Sequence, residues 1–133
     1  MLITTLLSLL FFTPIHVEAQ VTVLSTSTIN QLVVPYAKLL PALVPICTCE
    51  SGQGTGKPQQ FNIHTGEVLR GKINPKDTGA CQINSYWNGT TARTHGWNIY
   101  TLDGNIRMAN WMYKNQGLTP WGWSSACWKK EQT

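Results

Sequence analysis

Apolar and polar positions alternate most regularly between Thr101 and Gly117. Leu102, Ile106, Ala109 and Tyr113 fall at i, i+4, i+7 and i+11, with Met112 beside them. That spacing lines one face of a 3.6-residue repeat and predicts an amphipathic helix with its stripe in the core. Thr101 is its N-cap, Asp103 lies in the first turn, and Gly117 stops it. A second apolar set, Leu32, Tyr36, Leu39 and Leu40, predicts a helix over 29–40, with a start near Val34 equally favoured because of Pro35. Pro45 fits the first turn of a short helix reaching Ser51, which Gly52, Gly54 and Gly56 bring to an end. Phe61-Asn62-Ile63 and Val68-Leu69-Arg70 flank His64-Thr65-Gly66-Glu67 and predict a hairpin with His64 solvated at its tip. Asn74-Pro75-Lys76-Asp77 is a turn signal. Residues 89–94 predict a short helix capped by Asn88. Residues 120–128 are irregular and aromatic, and neither an internal repeat nor a second domain is visible.

The leading residues follow no such periodicity. Leu2 to Phe12 is a mostly apolar run, and Val17-Glu18-Ala19 marks the Ala19/Gln20 bond as a signal-peptidase site, although no Lys or Arg precedes the run. The run is too short to cross a bilayer comfortably. The expectation is a cleaved signal over 1–19 and a protein that is secreted, periplasmic or associated with the cell wall, with no stable membrane association. Residues 20–45 form an N-terminal segment to which no role is assigned.

With 42% hydrophobic and 12% charged residues, the chain does not have the composition of a disordered one. Loss of residues 1–19 removes Glu18 and no base, leaving ten basic against five acidic side chains, a charge of +5. A modest positive charge suits an anionic polymer such as a bacterial wall. Nucleic acid is disfavoured, because no basic run exceeds Lys129-Lys130. Four cysteines in a secreted chain read as two disulfides, with three pairings open. Cys47 and Cys49, two apart on a helix, point to different sides and need different partners. The favoured pairing is Cys47 with Cys81 and Cys49 with Cys127. A four-thiolate zinc site is disfavoured because the Cys-x-x-Cys spacing is missing.

Only six acids occur in 133 residues, so each one is conspicuous. Glu50 closes a helix, where the dipole disfavours a carboxylate, and its presence there asks for a reason. Gln82 and Asn84 alternate with Cys81 and Ile83, so in a strand the two amides share one face and suit sugar hydroxyls and N-acetyl groups. Tyr86, Trp87, Tyr113, Trp121 and Trp123 are the aromatic candidates for stacking on sugar rings. Tyr113 and one of Trp121 or Trp123 are assigned to a cleft, although tryptophan more often fills the core of a small domain. Ser51 can hydrogen-bond near Glu50, but no His–Asp arrangement supports a serine nucleophile.

Glu50-Ser51-Gly52 followed by Gly79-Ala80-Cys81-Gln82-Ile83-Asn84 resembles the lysozyme and lytic transglycosylase superfamily. Asn105, Ile106 and Ala109 are similar to a later helix of that family. The likeness runs from about Ile46 to Trp128. It implies an α+β, mainly helical, lysozyme-like catalytic domain over 46–133 with a small β-hairpin lobe. It also implies cleavage of the β-1,4 bond of peptidoglycan between N-acetylmuramic acid and N-acetylglucosamine, with Glu50 as general acid. Ser51, Gln82, Asn84, Tyr86, Tyr113, Trp121 and Trp123 are the expected substrate contacts. Asp77-Thr78-Gly79-Ala80-Cys81-Gln82-Ile83-Asn84-Ser85 further resembles animal-type lysozymes, which carry a second carboxylate before the same segment. That makes Asp77 a candidate nucleophile or oxocarbenium stabiliser, while its turn-forming neighbours offer an ordinary structural reason for it. A lytic transglycosylase using Glu50 alone, a catalytically silent wall-binding module, and chitin as a second substrate stay open. A monomer is expected, with no metal and no organic cofactor.

Overall fold

The computed structural model describes residues 36–52 and 55–130. The expected signal and most of the helix expected over 29–40 lie outside these residues; of the described part Tyr36 and Ala37 are helical, and Lys38 to Leu40 are not, so the helix does not reach Leu40 as expected. Leu39 and Leu43 are core residues, so packing continues on the N-terminal side of Ile46.

A 3-10 turn, Pro41–Leu43, runs into helix α1, Val44–Ser51. Prolines stand within the first two positions of both, where a missing N–H costs nothing. Leu43, Ile46, Cys47 and Cys49 face inward. The hairpin follows as expected, reduced to one antiparallel bridge, Phe61 to Val68. Asn62 shapes its turn by accepting from the N–H groups of His64 (2.8 Å) and Thr65 (3.2 Å) on its side-chain oxygen. A second bridge, Arg70 to Thr78, joins the hairpin to a two-stranded antiparallel sheet. Strand β1, Asp77–Thr78, pairs with β2, Ile83–Asn84, in the register Asp77 opposite Asn84 and Thr78 opposite Ile83.

Helix α2, Ser85–Thr94, starts directly from β2. The expected cap at Asn88 is corrected: Asn84 caps this helix, its Oδ1 accepting from Tyr86 N–H and Trp87 N–H at 3.1 Å each. Asn88 lies one turn inside and donates to the Asn84 carbonyl at 3.2 Å. Helix α3, Leu102–Gln116, matches its expected bounds, with the Thr101 hydroxyl accepting from Gly104 N–H (3.2 Å) and Gly117 closing it at φ 62°. Leu102, Ile106, Ala109 and Met112 are buried as the stripe requires, and Tyr113 is half-buried at its edge. The aromatic tail forms a 3-10 turn, Thr119–Ser124, and a short helix α4, Ser125–Trp128. The chain is therefore mainly helical with a small antiparallel sheet. No helix among the described residues is long and apolar enough to cross a membrane.

Both disulfides form in the favoured pairing, Cys47–Cys81 and Cys49–Cys127. The first fastens α1 to the turn over residues 79–82, and the second fastens α1 to α4. Asn105 completes the seam between α3 and that turn. Fully buried, it donates from Nδ2 to the carbonyls of Thr78 (2.9 Å) and Ile99 (3.0 Å) and accepts from Cys81 N–H (3.0 Å). Gln60, also buried, accepts from Ala80 N–H at 2.9 Å. Gly79 passes between these amides at φ 73°, where a Cβ would lie 2.4 Å from Gln60 Oε1 and 2.6 Å from Asn105 Nδ2. Only glycine satisfies both the backbone angle and the space.

Candidate active site

Glu50 sits one residue before the end of α1. Gly52 turns the chain away just after it, donating its N–H to the Thr48 carbonyl at 2.7 Å, and a Cβ there would lie 2.5 Å from the Lys57 carbonyl. On either side Glu50 is held by neighbours. Cys49 is bonded to Cys127, and the Ser51 hydroxyl donates to the Ala80 carbonyl (2.6 Å) while accepting from Gln59 N–H (2.8 Å). Across from α1, Ser124 places its hydroxyl 2.5 Å from Glu50 Oε1. Burial raises the proton affinity of the Glu50 carboxyl above the ordinary value; the Ser124 hydroxyl opposes that shift, and the negative charge of Asp77 adds a small push in the same direction as burial.

Asp77 occupies the first position of β1, held by groups of the opposite kind. Its Oδ1 accepts from Asn84 Nδ2 at 2.7 Å, across the strand pair, and from Asn74 Nδ2 at 3.3 Å. Both amides fall on one oxygen, which fixes the direction of the carboxylate. Asn74 and Lys76 come from the expected turn, where the Asn74 side chain accepts from Lys76 N–H at 3.1 Å. The charge of Asp77 is felt at Glu50.

The remaining site candidates divide. Gln82 is not in a strand: it ends the turn over 79–82 at φ 48°, donating from Nε2 to the Gly79 carbonyl at 2.9 Å. The expected alternation nevertheless survives in burial, with Cys81 and Ile83 sealed and Gln82 and Asn84 partly exposed. Ser51 and Asn84, expected to hold a ligand, also hold the protein to itself. Ser51 straps α1 to the turn, and Asn84 both caps α2 and orients Asp77. Trp121 does not belong to a surface cleft: at 3% exposure it is core, and its indole N–H donates to the Cys81 carbonyl at 3.0 Å. Trp123, two residues on, is fully exposed, as are most of Tyr86 and Trp87, whose rings meet edge-to-face at 4.6 Å. Tyr113 packs half-buried on the core.

Ser124, Asn74 and Gln60 are contributors that pattern reasoning passes over. Asn74 carries a signal, the Asn-Pro turn beside Asp77; Ser124 and Gln60 carry none. Two hollows, of about 460 and 400 Å³, are lined from 95–107 and 85–100 and hold neither carboxylate. The candidacy of Glu50 and Asp77 therefore rests on their surroundings and not on a cavity. Among the described residues no group of three or more His, Cys, Asp or Glu side chains converges on one point. No family model matches the chain, and neither a curated protein nor a solved structure matches it.

Proposed function

We propose that the protein is a secreted, monomeric, lysozyme-like glycosidase that cleaves the β-1,4 bond between N-acetylmuramic acid and N-acetylglucosamine in peptidoglycan. The observation that carries this reading is the contrast between two carboxylates, the charge of one felt at the other. Glu50 is desolvated and holds its proton more tightly than usual; Asp77 is oriented by two amides. Glycoside cleavage by retention needs such a division, for which lysozyme is the type case. Glu50 gives its proton to the leaving oxygen as the C–O bond breaks. Asp77 meets the oxocarbenium ion with Oδ2, the oxygen outside the amide clamp, either by bonding to it or by charge alone. Water then completes the hydrolysis, with Glu50 taking up its proton. The charge of +5 expected after loss of residues 1–19 supports an anionic polymer as partner. Exposed Trp123, Tyr86 and Trp87 supply flat apolar faces of the kind that stack on sugar rings.

The test is turbidity loss of purified peptidoglycan with the oxidised protein beside Glu50→Gln and Asp77→Asn. Removing the general acid is expected to lower the rate by about 10²–10⁴-fold. If Asp77→Asn also loses activity, hydrolysis through a second carboxylate stands. If it keeps activity and the product carries a 1,6-anhydro end, the enzyme is a lytic transglycosylase using Glu50 alone. Folded protein that sediments with the wall without clearing it, unchanged by Glu50→Gln, is a silent binding module. Chitin in place of peptidoglycan measures the breadth of substrate.

A further inference from the structure

We propose that Ser124 is a positioning residue for Glu50: its hydroxyl swings between the Trp121 carbonyl and Glu50 Oε1 as that carboxyl gains and loses its proton. The inference rests on the reading of Glu50 as the general acid. Ser124 Oγ lies 2.5 Å from Glu50 Oε1 and 3.1 Å from the Trp121 carbonyl oxygen. A hydroxyl has one hydrogen and can donate to only one of them at a time. When Glu50 is ionised, the hydrogen belongs on the carboxylate, because a charged acceptor makes the stronger bond. When Glu50 is protonated, the hydroxyl is free to turn to Trp121.

The turn away from Trp121 leaves nothing unsatisfied. The same carbonyl accepts from the Trp128 indole N–H at 3.0 Å, so it keeps a donor in either state. Ser124 is itself fixed from both sides. Buried Trp121 lies three residues before it, and Cys127, bonded to the neighbour of Glu50, lies three residues after. The Ser124 hydroxyl thus has a fixed pivot and two acceptors within reach. During bond cleavage the Glu50 proton moves to the leaving oxygen, the C–O bonding pair goes with that oxygen, and the Ser124 hydroxyl rotates to the carboxylate as its charge develops. No proton leaves Ser124. A donor whose bond strengthens only as charge appears favours the transition state over the ground state.

Among the described residues, the elements packed against α1 carry few ionisable groups. The 3-10 turns Pro41–Leu43 and Thr119–Ser124 and helix α4 carry no ionisable side chain, the cysteines of α1 and α4 being bonded. The charge of Asp77, on β1, is felt at Glu50. Lys129, just past α4, lies over the Trp128 ring at 5.8 Å. A shift on removing Ser124 is therefore attributable to the hydroxyl.

The experiment follows the Glu50 carboxyl carbon by NMR across pH in the oxidised protein, beside rates of peptidoglycan clearing over the same range. Ser124→Ala is expected to raise the carboxyl midpoint, move the alkaline limb of the rate profile to higher pH by the same amount, and lower the plateau rate about tenfold. Ser124→Thr restores all three. If alanine disturbs the turn, Ser124→Val against Ser124→Thr compares the same shape without and with a hydroxyl. An unmoved carboxyl midpoint overturns the proposal, and so does a moved midpoint with an unmoved alkaline limb. Full activity in Glu50→Gln overturns the general-acid reading instead, and the carboxyl titration still decides the Ser124 contact.

Discussion

Glu50 stands on a helix fastened by two disulfides and packed on a tail whose Trp121 and Trp128 are buried, whereas Asp77 stands on a two-residue strand in the hairpin lobe. The helical side controls its carboxyl by withholding water. The sheet side controls its carboxyl by direction, with two amides on one oxygen. A protein can thus give two identical functional groups different tasks without changing either, provided that it builds their walls from different elements. The seam between the walls is narrow. It consists of the turn over 79–82, tied to α1 by Cys47–Cys81 and Ser51, and to α3 by Asn105.

The largest expected effect comes from releasing the helical side. Replacing Cys49 and Cys127 with serine opens a sequence separation of 78 and is expected to lower unfolding free energy by about 4–5 kcal/mol. Denaturant unfolding of the oxidised protein measures it. A loss below about 1 kcal/mol means that tryptophan packing alone carries that side. Next comes the seam. Asn105→Ala strands the Cys81 N–H and removes a donor from two carbonyls, all buried, for an expected loss of about 3 kcal/mol. A near-neutral result places the seam in the disulfide instead.

A smaller effect separates desolvation from orientation. Since burial raises the Glu50 proton affinity in the fold, the folded state holds a proton that the unfolded chain releases at its ordinary pKa. Stability that Glu50 contributes at low pH is therefore lost as pH rises from the unfolded value through the folded one. Glu50→Gln, neutral throughout, should melt progressively higher than wild type as pH rises above the ordinary carboxyl value. A difference that is flat or reversed across that range sinks the desolvation account. The smallest effect serves as a control outside both regions. Asp103 on α3, held below its usual pKa chiefly by Arg107, has exposed partners. Asp103→Asn should cost about 0.2–1 kcal/mol and lose even that in high salt, as seen by thermal melts at two ionic strengths.

The sequence makes α3 legible because three independent signals agree there: an apolar stripe, a Thr cap and a terminal Gly. The spacing of Cys47 and Cys49 on a helix makes legible that each takes a different partner, which leaves two pairings for the fold to choose between. The cap of α2 is not, because Asn84 and Asn88 are equally good caps by chemistry and only the tertiary position of β2 selects the first. Burial of Gln60 and Asn105 leaves no trace in composition, since an amide reads as polar wherever its partners are. Trp121 and Trp123 stand two apart in one irregular turn, one sealed and one open, with no periodicity to say which. The partner of Ser124 lies 74 residues away, beyond any local pattern.

Asn84 leaves selection little room. Among the residues that start helices well, Ser, Thr and Asp also offer an oxygen to the first amides of α2, but none of the three brings the N–H that Asp77 takes. Aspartate would set a second negative charge against the first. Serine and threonine would begin the helix, but a single hydroxyl on a shorter side chain would have to accept from its amides and donate to Asp77 at once. A library built at this one position would therefore sort variants along two axes at once, and only the parental side chain would sit in the favourable corner of both.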